Sequence, residues 1–450
     1  MEAITRTSGI PALSENTSLR YLNFVALYIS QGIPEGMVLF GIPAWLAMNG
    51  KSAGEIASFA VAFGLPWSFK AIVAPMMDRF AFLPMGRKRP WVLFGQTGLI
   101  LSLLALAFVP NPLQNLDSLM IGVFFVGCFG AMQDVATDGM AIDVIPEKQQ
   151  ARANGLMWGS KIAGNSASLA LGSYLINAYG FKVAILTLAV SVGLIMLAPL
   201  FLRERPGEKI LPWTHGDASE ENKATQPDNW SVIFKSLYRV FSLKNSLILA
   251  AVAFCFQAAF NYLDTLLPIF TVQHLGWSDQ EYSNFYATAA LIGGLGGMLF
   301  GGILIDRFGK IKMLNIYILL LLVTIGTFAL LENFWQNRLF ICGFMIAIQI
   351  FYVFSVIGIF ATAMQCCWKK VSASQFTIFM TLSNLGRIAG ASIVGLVRTH
   401  LSWQTTMLVF AGILLLTAFV LQFLSIKKQV SRISQWEKEE TEILEVPAIL

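Results

Sequence analysis

Seven ionisable residues stand inside long apolar runs of this chain: Glu35, Lys70, Asp134, Asp138, Lys161, Asp264 and Arg387. A charge at the centre of a bilayer costs about 2.5–3.5 kcal/mol on insertion scales, so each one calls for a function. Two chemistries suit the set. A carboxylate placed there takes up and releases a proton, and a cation there holds an anionic group of a solute. Asp134 and Asp138 are four residues apart, which puts both carboxylates on one helix face. Asp138 and Lys161 fall at similar depth on successive helices, and pairing them would offset both desolvation costs. A helix–helix latch that never meets a solute is the alternative reading of that pair. Lys70 lies about 12 Å from its helix end, near enough to snorkel. Asp143 reads as an ordinary helix-end residue.

Four acids against three bases leave one carboxylate without a counter-charge, and the least costly way to carry it is with a bound proton. Neither Glu35 nor Asp264 has a basic partner on its own helix, so these two are the first candidates for proton coupling, with Asp134 and Asp138 next. Lys70, Lys161 and Arg387 are then expected to bind an anionic substrate group, Arg387 with a bidentate grip. Asn154, Asn165, Asn261, Tyr262, Gln349 and Asn384 could add hydrogen bonds, or could equally bond across helices.

The elements that must position these residues are transmembrane helices. Hydrophobic residues make up 56% of the 450 and charged residues only 13%, against about 25% charged in a soluble domain. Spans of about 20 apolar residues are expected near 20–47, 54–77, 91–110, 118–143, 151–179 and 183–202. Six more follow near 245–273, 281–305, 312–331, 337–365, 373–398 and 403–425. The fold class is therefore an all-α integral membrane protein with twelve transmembrane helices. Residues 1–202 form one six-helix half, 203–244 a polar linker, 245–425 the second half and 426–450 a tail; neither linker nor tail carries a readable motif. The start of the chain is polar, so the first helix reads as a retained span and not a signal peptide. Most Lys and Arg fall on the side of both termini, and the other side holds only Lys51, Lys182, Arg338 and Arg398. Both termini are thus expected in the cytoplasm.

The halves repeat each other. Asp78-Arg79-Phe80 recurs as Asp306-Arg307-Phe308, each followed by basic residues, Arg87-Lys88-Arg89 in the first copy. Lys161-Ile162-Ala163-Gly164 falls on Arg387-Ile388-Ala389-Gly390, and Glu35 on Asp264, at a near-constant offset. Parallel repeats of six helices with a substrate path between them resemble the major facilitator fold. Asp78, Arg79, Arg87, Asp306 and Arg307 are expected to form conformational latches, with a plain topological role as the alternative. Gly293-Gly294, Gly296-Gly297 and Gly301-Gly302 are expected to allow close helix packing.

Several strings resemble the AmpG-like permeases of the peptide/acetyl-coenzyme A transporter branch of that superfamily. They are Gln31-Gly32-Ile33-Pro34-Glu35-Gly36, Phe69-Lys70, Pro75-Met76-Met77-Asp78-Arg79-Phe80, Gly86-Arg87-Lys88-Arg89-Pro90-Trp91 and Gln133-Asp134-Val135-Ala136-Thr137-Asp138-Gly139. The resemblance is concentrated in residues 30–165. It implies a proton-driven importer in a bacterial plasma membrane, with Lys70, Asp134 and Asp138 as polar helix residues of the family. Its members are similar to carriers of anhydro-muropeptides, ferric siderophores and acetyl-coenzyme A, all bulky and partly anionic. Muropeptide and siderophore rank level, acetyl-coenzyme A third.

Other classes fit less well. His215, His274 and His400 lie in expected loops without a helical partner for a metal, and no P-loop string occurs, so neither an enzyme nor a metal or other cofactor is expected. The five cysteines lie in apolar segments, which argues against a disulfide framework or a zinc site. No basic run suits nucleic acid. The expected partners are a small-molecule solute, protons and the lipid bilayer, with the chain acting as a monomer. A receptor built on a transporter fold is the non-transport alternative.

Overall fold

A computed structural model of the chain describes residues 12–51, 53–227, 229–277, 279–398 and 400–445. These residues hold helices and loops and, among them, no β-strand. Helix α1 (Thr17–Glu35) starts where the Asn16 side chain accepts the Leu19 N–H, and runs on through a π-helical turn, Gly36–Gly41, into Ile42–Met48. Helix α2 is broken: Ala53–Gly64, a 3₁₀ turn over Leu65–Phe69 that contains Pro66, then Lys70–Arg79. Helices α3 (Arg89–Ala107), α4 (Leu116–Val144), α5 (Gln150–Tyr179) and α6 (Phe181–Phe201) complete the first six.

The second six begin with α7 (Lys244–Ile269), which also continues into a π-helical turn, Phe270–His274. Helix α8 (Asp279–Gly296) passes through another, Gly297–Gly301, into Gly302–Phe308. Helices α9 (Lys310–Leu330), α10 (Arg338–Cys366), α11 (Ser372–Arg398) and α12 (Trp403–Leu421) follow. A tail helix, α13 (Ile426–Glu445), comes last.

Among the described residues, eleven helical segments are long and apolar enough to cross a bilayer, against twelve expected. The difference is α5. It forms as a 30-residue helix, about 45 Å at 1.5 Å per residue, but Arg152, Asn154, Lys161 and Asn165 make it too polar to qualify on composition.

The chain divides into two compact units: one runs to Ile145 and resumes over Ser160–Trp230, the other takes Pro146–Gly159 and the residues from Ser231 onward. Helix α5 therefore starts in the second unit and continues in the first. Within the first unit, Met37, Val38, Phe59, Leu99, Leu103, Val123, Val126 and Val192 form the core.

Because lipid is as apolar as leucine, backbone approach at small residues and not hydrophobic burial holds such helices together. The repeat shows where. A Cβ on Gly164 of α5 would lie 2.6 Å from the Ile29 carbonyl oxygen of α1, and one on its counterpart Gly390 of α11 would lie 2.1 Å from that of Ala258 on α7. Gly390→Val is expected to cost about 1–3 kcal/mol by overpacking, seen as a lower Tm in detergent. An unchanged Tm would mean that this contact does not hold α7 to α11.

The linker and tail, which showed no motif, are structured. The helix Trp230–Phe241 buries Ile233, Leu237 and Val240 against Trp368, Val371 and, from α13, Ile433 and Trp436. Earlier linker residues fold onto the first unit, where Leu13 N–H donates to the Arg203 carbonyl at 2.8 Å.

Candidate functional site

The first unit collects five of the seven charges that stand inside the helices. The 3₁₀ turn in α2 brings Trp67 and Lys70 against α4, where the Lys70 ammonium bonds to Asp134. One turn further along α4, the Tyr28 hydroxyl donates to Asp138 at 2.5 Å. Lys161 of α5 meets Glu35 of α1 at 2.7 Å. Both ammonium groups lie over one indole, Lys70 at 4.1 Å and Lys161 at 5.4 Å from the Trp67 ring centre.

These pairings correct the expected ones. Lys161 takes Glu35 and not Asp138, because α1 and α5 are the helices in backbone contact. Lys70 does not snorkel; it is 8% exposed and spends its charge on Asp134. Glu35 does have a basic partner, on another helix. Among these five charges three carboxylates thus face two ammonium groups, and the carboxylate hydrogen-bonded by a neutral group is Asp138. Burying a charge without a compensating one costs several kcal/mol.

The second unit carries the remaining two. The Tyr286 hydroxyl of α8 donates to Asp264 of α7, and Gln349 of α10 bonds to the same tyrosine. Arg387 of α11 is close enough to act electrostatically on Asp264. The acid on the first helix of each half and the base on the fifth therefore interact in both copies of the repeat. Arg387 and Asn384 remain exposed on α11.

Two other polar candidates are spent on structure. Tyr262 donates to the Thr406 carbonyl at 2.8 Å, and the Asn154 amide donates to the Gln150 carbonyl at 2.9 Å. Asn165 and Asn261 are half-buried on α5 and α7. Sequence reasoning missed Tyr28, Trp67 and Tyr286. Tyr28 carried a signal, since it stands seven residues, two helical turns, before Glu35.

A second polar layer lies at the helix ends. Asp78 is fully buried and holds Lys88 at 2.5 Å and Arg87 at 3.6 Å, while Arg87 also reaches Asp143 at 3.3 Å. Asp143 is therefore no ordinary end residue but part of this cluster. The Glu204 carboxylate accepts the N–H groups of Arg87, Lys88 and Arg89 at 2.9, 2.8 and 2.5 Å, capping the start of α3. Gly86 makes this possible: its φ is +108°, and a Cβ there would stand 2.8 Å from the Glu204 carboxyl carbon. Arg89 donates to the carbonyls of Pro199, Leu200, Lys209 and Ile210, closing the end of α6.

In the second unit Asp306 accepts the Arg152 N–H at 3.0 Å, at the start of α5. Lys310 donates to Gln365 at 2.7 Å and to Gln150 at 3.2 Å, and Gln365 to Glu147 at 2.8 Å. Of the expected latch residues, Arg79 and Arg307 lie apart from these networks. Each leans on the phenylalanine that follows it, at 5.5 and 5.6 Å.

Burial and the neighbouring Glu204 push the Glu208 carboxyl in the linker up to about 8. A carboxyl raised in the folded state binds its proton more tightly there than when unfolded. Stability from this group is therefore full below the unfolded value near ~4.3 and falls as pH rises towards 8. Glu208→Gln is expected to flatten the decline of Tm between those limits; an unaltered slope would remove Glu208 as its source.

Comparison with known proteins agrees with the fold. The Major Facilitator Superfamily profile matches residues 24–391. The anhydromuropeptide permease of Escherichia coli is 22% identical over 393 residues, covering 84% of this chain and 74% of the permease. A crystal structure of a Major Facilitator Superfamily transporter, FucP, in the outward conformation superposes with a TM-score of 0.67 at 14% identity, over 92% of this chain and 99% of that one. A crystal structure of a bacterial homologue of the iron transporter ferroportin gives 0.65 at 12% identity, over 90% and 98%.

Proposed function

The chain belongs to the Major Facilitator Superfamily, and from that premise we propose that this multi-pass membrane transporter, which is not an enzyme, couples proton entry to import of an anhydro-muropeptide. The observation that carries the coupling is the uneven charge set of the first unit. Lys70 pairs with Asp134 and Lys161 with Glu35, and among the described residues Asp138 forms no ion pair and is hydrogen-bonded by the Tyr28 phenol. A proton on Asp138 removes the remaining charge, and loss of that proton makes the third carboxylate compete for the two ammonium groups. Glu35, Asp134 and, in the second unit, Asp264 would share the proton's path. Such a competition is how one protonation event reaches several helices at once.

An anionic solute offers a second way to redistribute those ammonium groups. In the first unit Lys70 and Lys161, both over Trp67, are proposed to receive it, and in the second unit the exposed Arg387 with Asn384 is proposed to bind an anionic group likewise. An indole face also suits the pyranose rings of a sugar-bearing solute. The muropeptide reading is supported by the relative whose name gives that solute. Asp78 with Arg87, and Asp306 with Lys310, are proposed as the latches released in the cycle. The proposed setting is a bacterial plasma membrane with both termini in the cytoplasm, as the Lys and Arg bias favours.

The test is uptake into proteoliposomes of radiolabelled anhydro-muropeptide, ferric siderophore and acetyl-coenzyme A, each with and without an inward proton gradient. Gradient-dependent accumulation of the muropeptide label is expected. Accumulation of one of the other labels instead would overturn the substrate, and accumulation indifferent to the gradient would overturn the coupling. Binding without any uptake would favour a receptor.

A further inference from the structure

Away from the buried charges, the second unit holds a cavity of about 510 Å³ lined by Lys148, Lys310, Lys312 and Lys427. Two acids also border it, and both are engaged: Asp306 with the Arg152 N–H, and Glu147 with the Gln365 amide. Both acids also act electrostatically on Lys310. Lys310 bonds to neutral oxygens, and among the described residues Lys148, Lys312 and Lys427 form no ion pair. Four lysines against two carboxylates leave the lining with a net positive charge, and Lys148, Lys312 and Lys427 are exposed, so an incoming anion meets accessible ammonium groups.

Two helices also begin at this cavity. The first intrahelical bond of α9 runs from the Met313 N–H to the Gly309 carbonyl, and that of α13 from Gln429 to Ser425. The N–H groups of Lys310, Ile311 and Lys312, and of Ile426, Lys427 and Lys428, therefore lie ahead of those bonds. Such groups favour phosphate oxygens. No side chain caps α9.

We propose that this cavity is a binding site for a phosphoryl group, distinct from the intramembrane charges assigned to proton and solute and sharing Asp306 and Lys310 with the proposed latch. The lysines supply the charge and the two helix starts supply directed N–H donors. A phospholipid headgroup and a soluble phosphate compound present the same chemistry, and basic pockets beside transmembrane helices are used for the former. Lys310 belongs both to the cavity and to the network that joins Gln150 and Gln365. An occupant would therefore compete with the contacts at the start of α5.

The full-length protein is reconstituted in phosphatidylcholine nanodiscs and titrated with inorganic pyrophosphate. In parallel, phosphatidylglycerol replaces part of the phosphatidylcholine. Binding is read as a rise in Tm and by the salt dependence of that rise. In at least one arm, K312Q/K427Q is expected to weaken binding tenfold or more, while K312R/K427R retains it and K182Q on α6 leaves it unchanged. K148Q gives a second, single-site reading should the double variant fold poorly. Response to pyrophosphate assigns a soluble phosphate; response to phosphatidylglycerol alone assigns a lipid headgroup. The site is overturned by no response in either arm, or by a response that K312Q/K427Q and K148Q leave intact.

Discussion

Asp138→Asn is expected to abolish proton-driven accumulation while sparing exchange of solute for solute. One proton crossing a proton-motive force of 100 mV supplies about 2.3 kcal/mol, which sustains roughly a fifty-fold concentration ratio. Asparagine fills the same space and still bonds to Tyr28 but takes no proton, so the ratio should fall to about one. Counterflow, in which labelled solute enters against unlabelled solute already inside, needs no net proton movement and should continue. Tyr28→Phe, which strips Asp138 of its hydrogen bond without removing the carboxylate, should leave accumulation in place and displace its pH dependence. Full gradient-driven uptake by Asp138→Asn would remove Asp138 from the coupling step.

The second large effect is on folding. Lys70→Met leaves Asp134 buried without its ammonium partner, and breaking a buried pair in this way costs about 3–5 kcal/mol. The variant should express poorly or lose most of its thermal stability. Lys70→Met combined with Asp134→Asn removes both charges, and most of the lost stability should return. Transport should not return with it, because the double variant has also lost one of the two ammonium groups over Trp67. Recovery of stability without transport separates the structural from the functional part of this pair. Recovery of both would make Lys70–Asp134 a helix latch only.

Much of this arrangement was legible in the sequence, and what was not has a common cause. A charge inside an apolar run is visible to anyone counting residues, so Glu35, Asp134, Asp138, Lys161, Asp264 and Arg387 stood out. The repeat was equally plain, because Lys161 and Arg387 share a motif. Pairing was a different matter. Which base meets which acid depends on the rotation of each helix about its axis and on which neighbour it packs against. Similar depth pointed to Asp138–Lys161, whereas close contact between α1 and α5 delivers Lys161 to Glu35.

Aromatic partners were hidden for another reason. Among 35 Phe, 11 Trp and 10 Tyr, a Trp67 under two lysines has the same sequence appearance as one facing lipid. Loop charges suffered the opposite fate. Glu204 stands in a polar linker with no motif around it, yet it is fully buried and caps α3. The amphipathic helix Trp230–Phe241 did leave a trace, Ile233, Leu237 and Val240 at helical spacing, in a segment short of any other motif. Helix α5 shows the limit of hydropathy itself. Lys161, one of the residues that make it polar, is the one its proposed role requires.

Central to the proposed mechanism is that solute entry carries a proton bound in the first unit. It is tested most directly by filling proteoliposomes with a pH-sensitive dye and adding anhydro-muropeptide outside, with no gradient imposed. Acidification of the lumen is expected with the wild-type protein, and none with Asp138→Asn. Solute entry at the normal rate with a constant internal pH would contradict it.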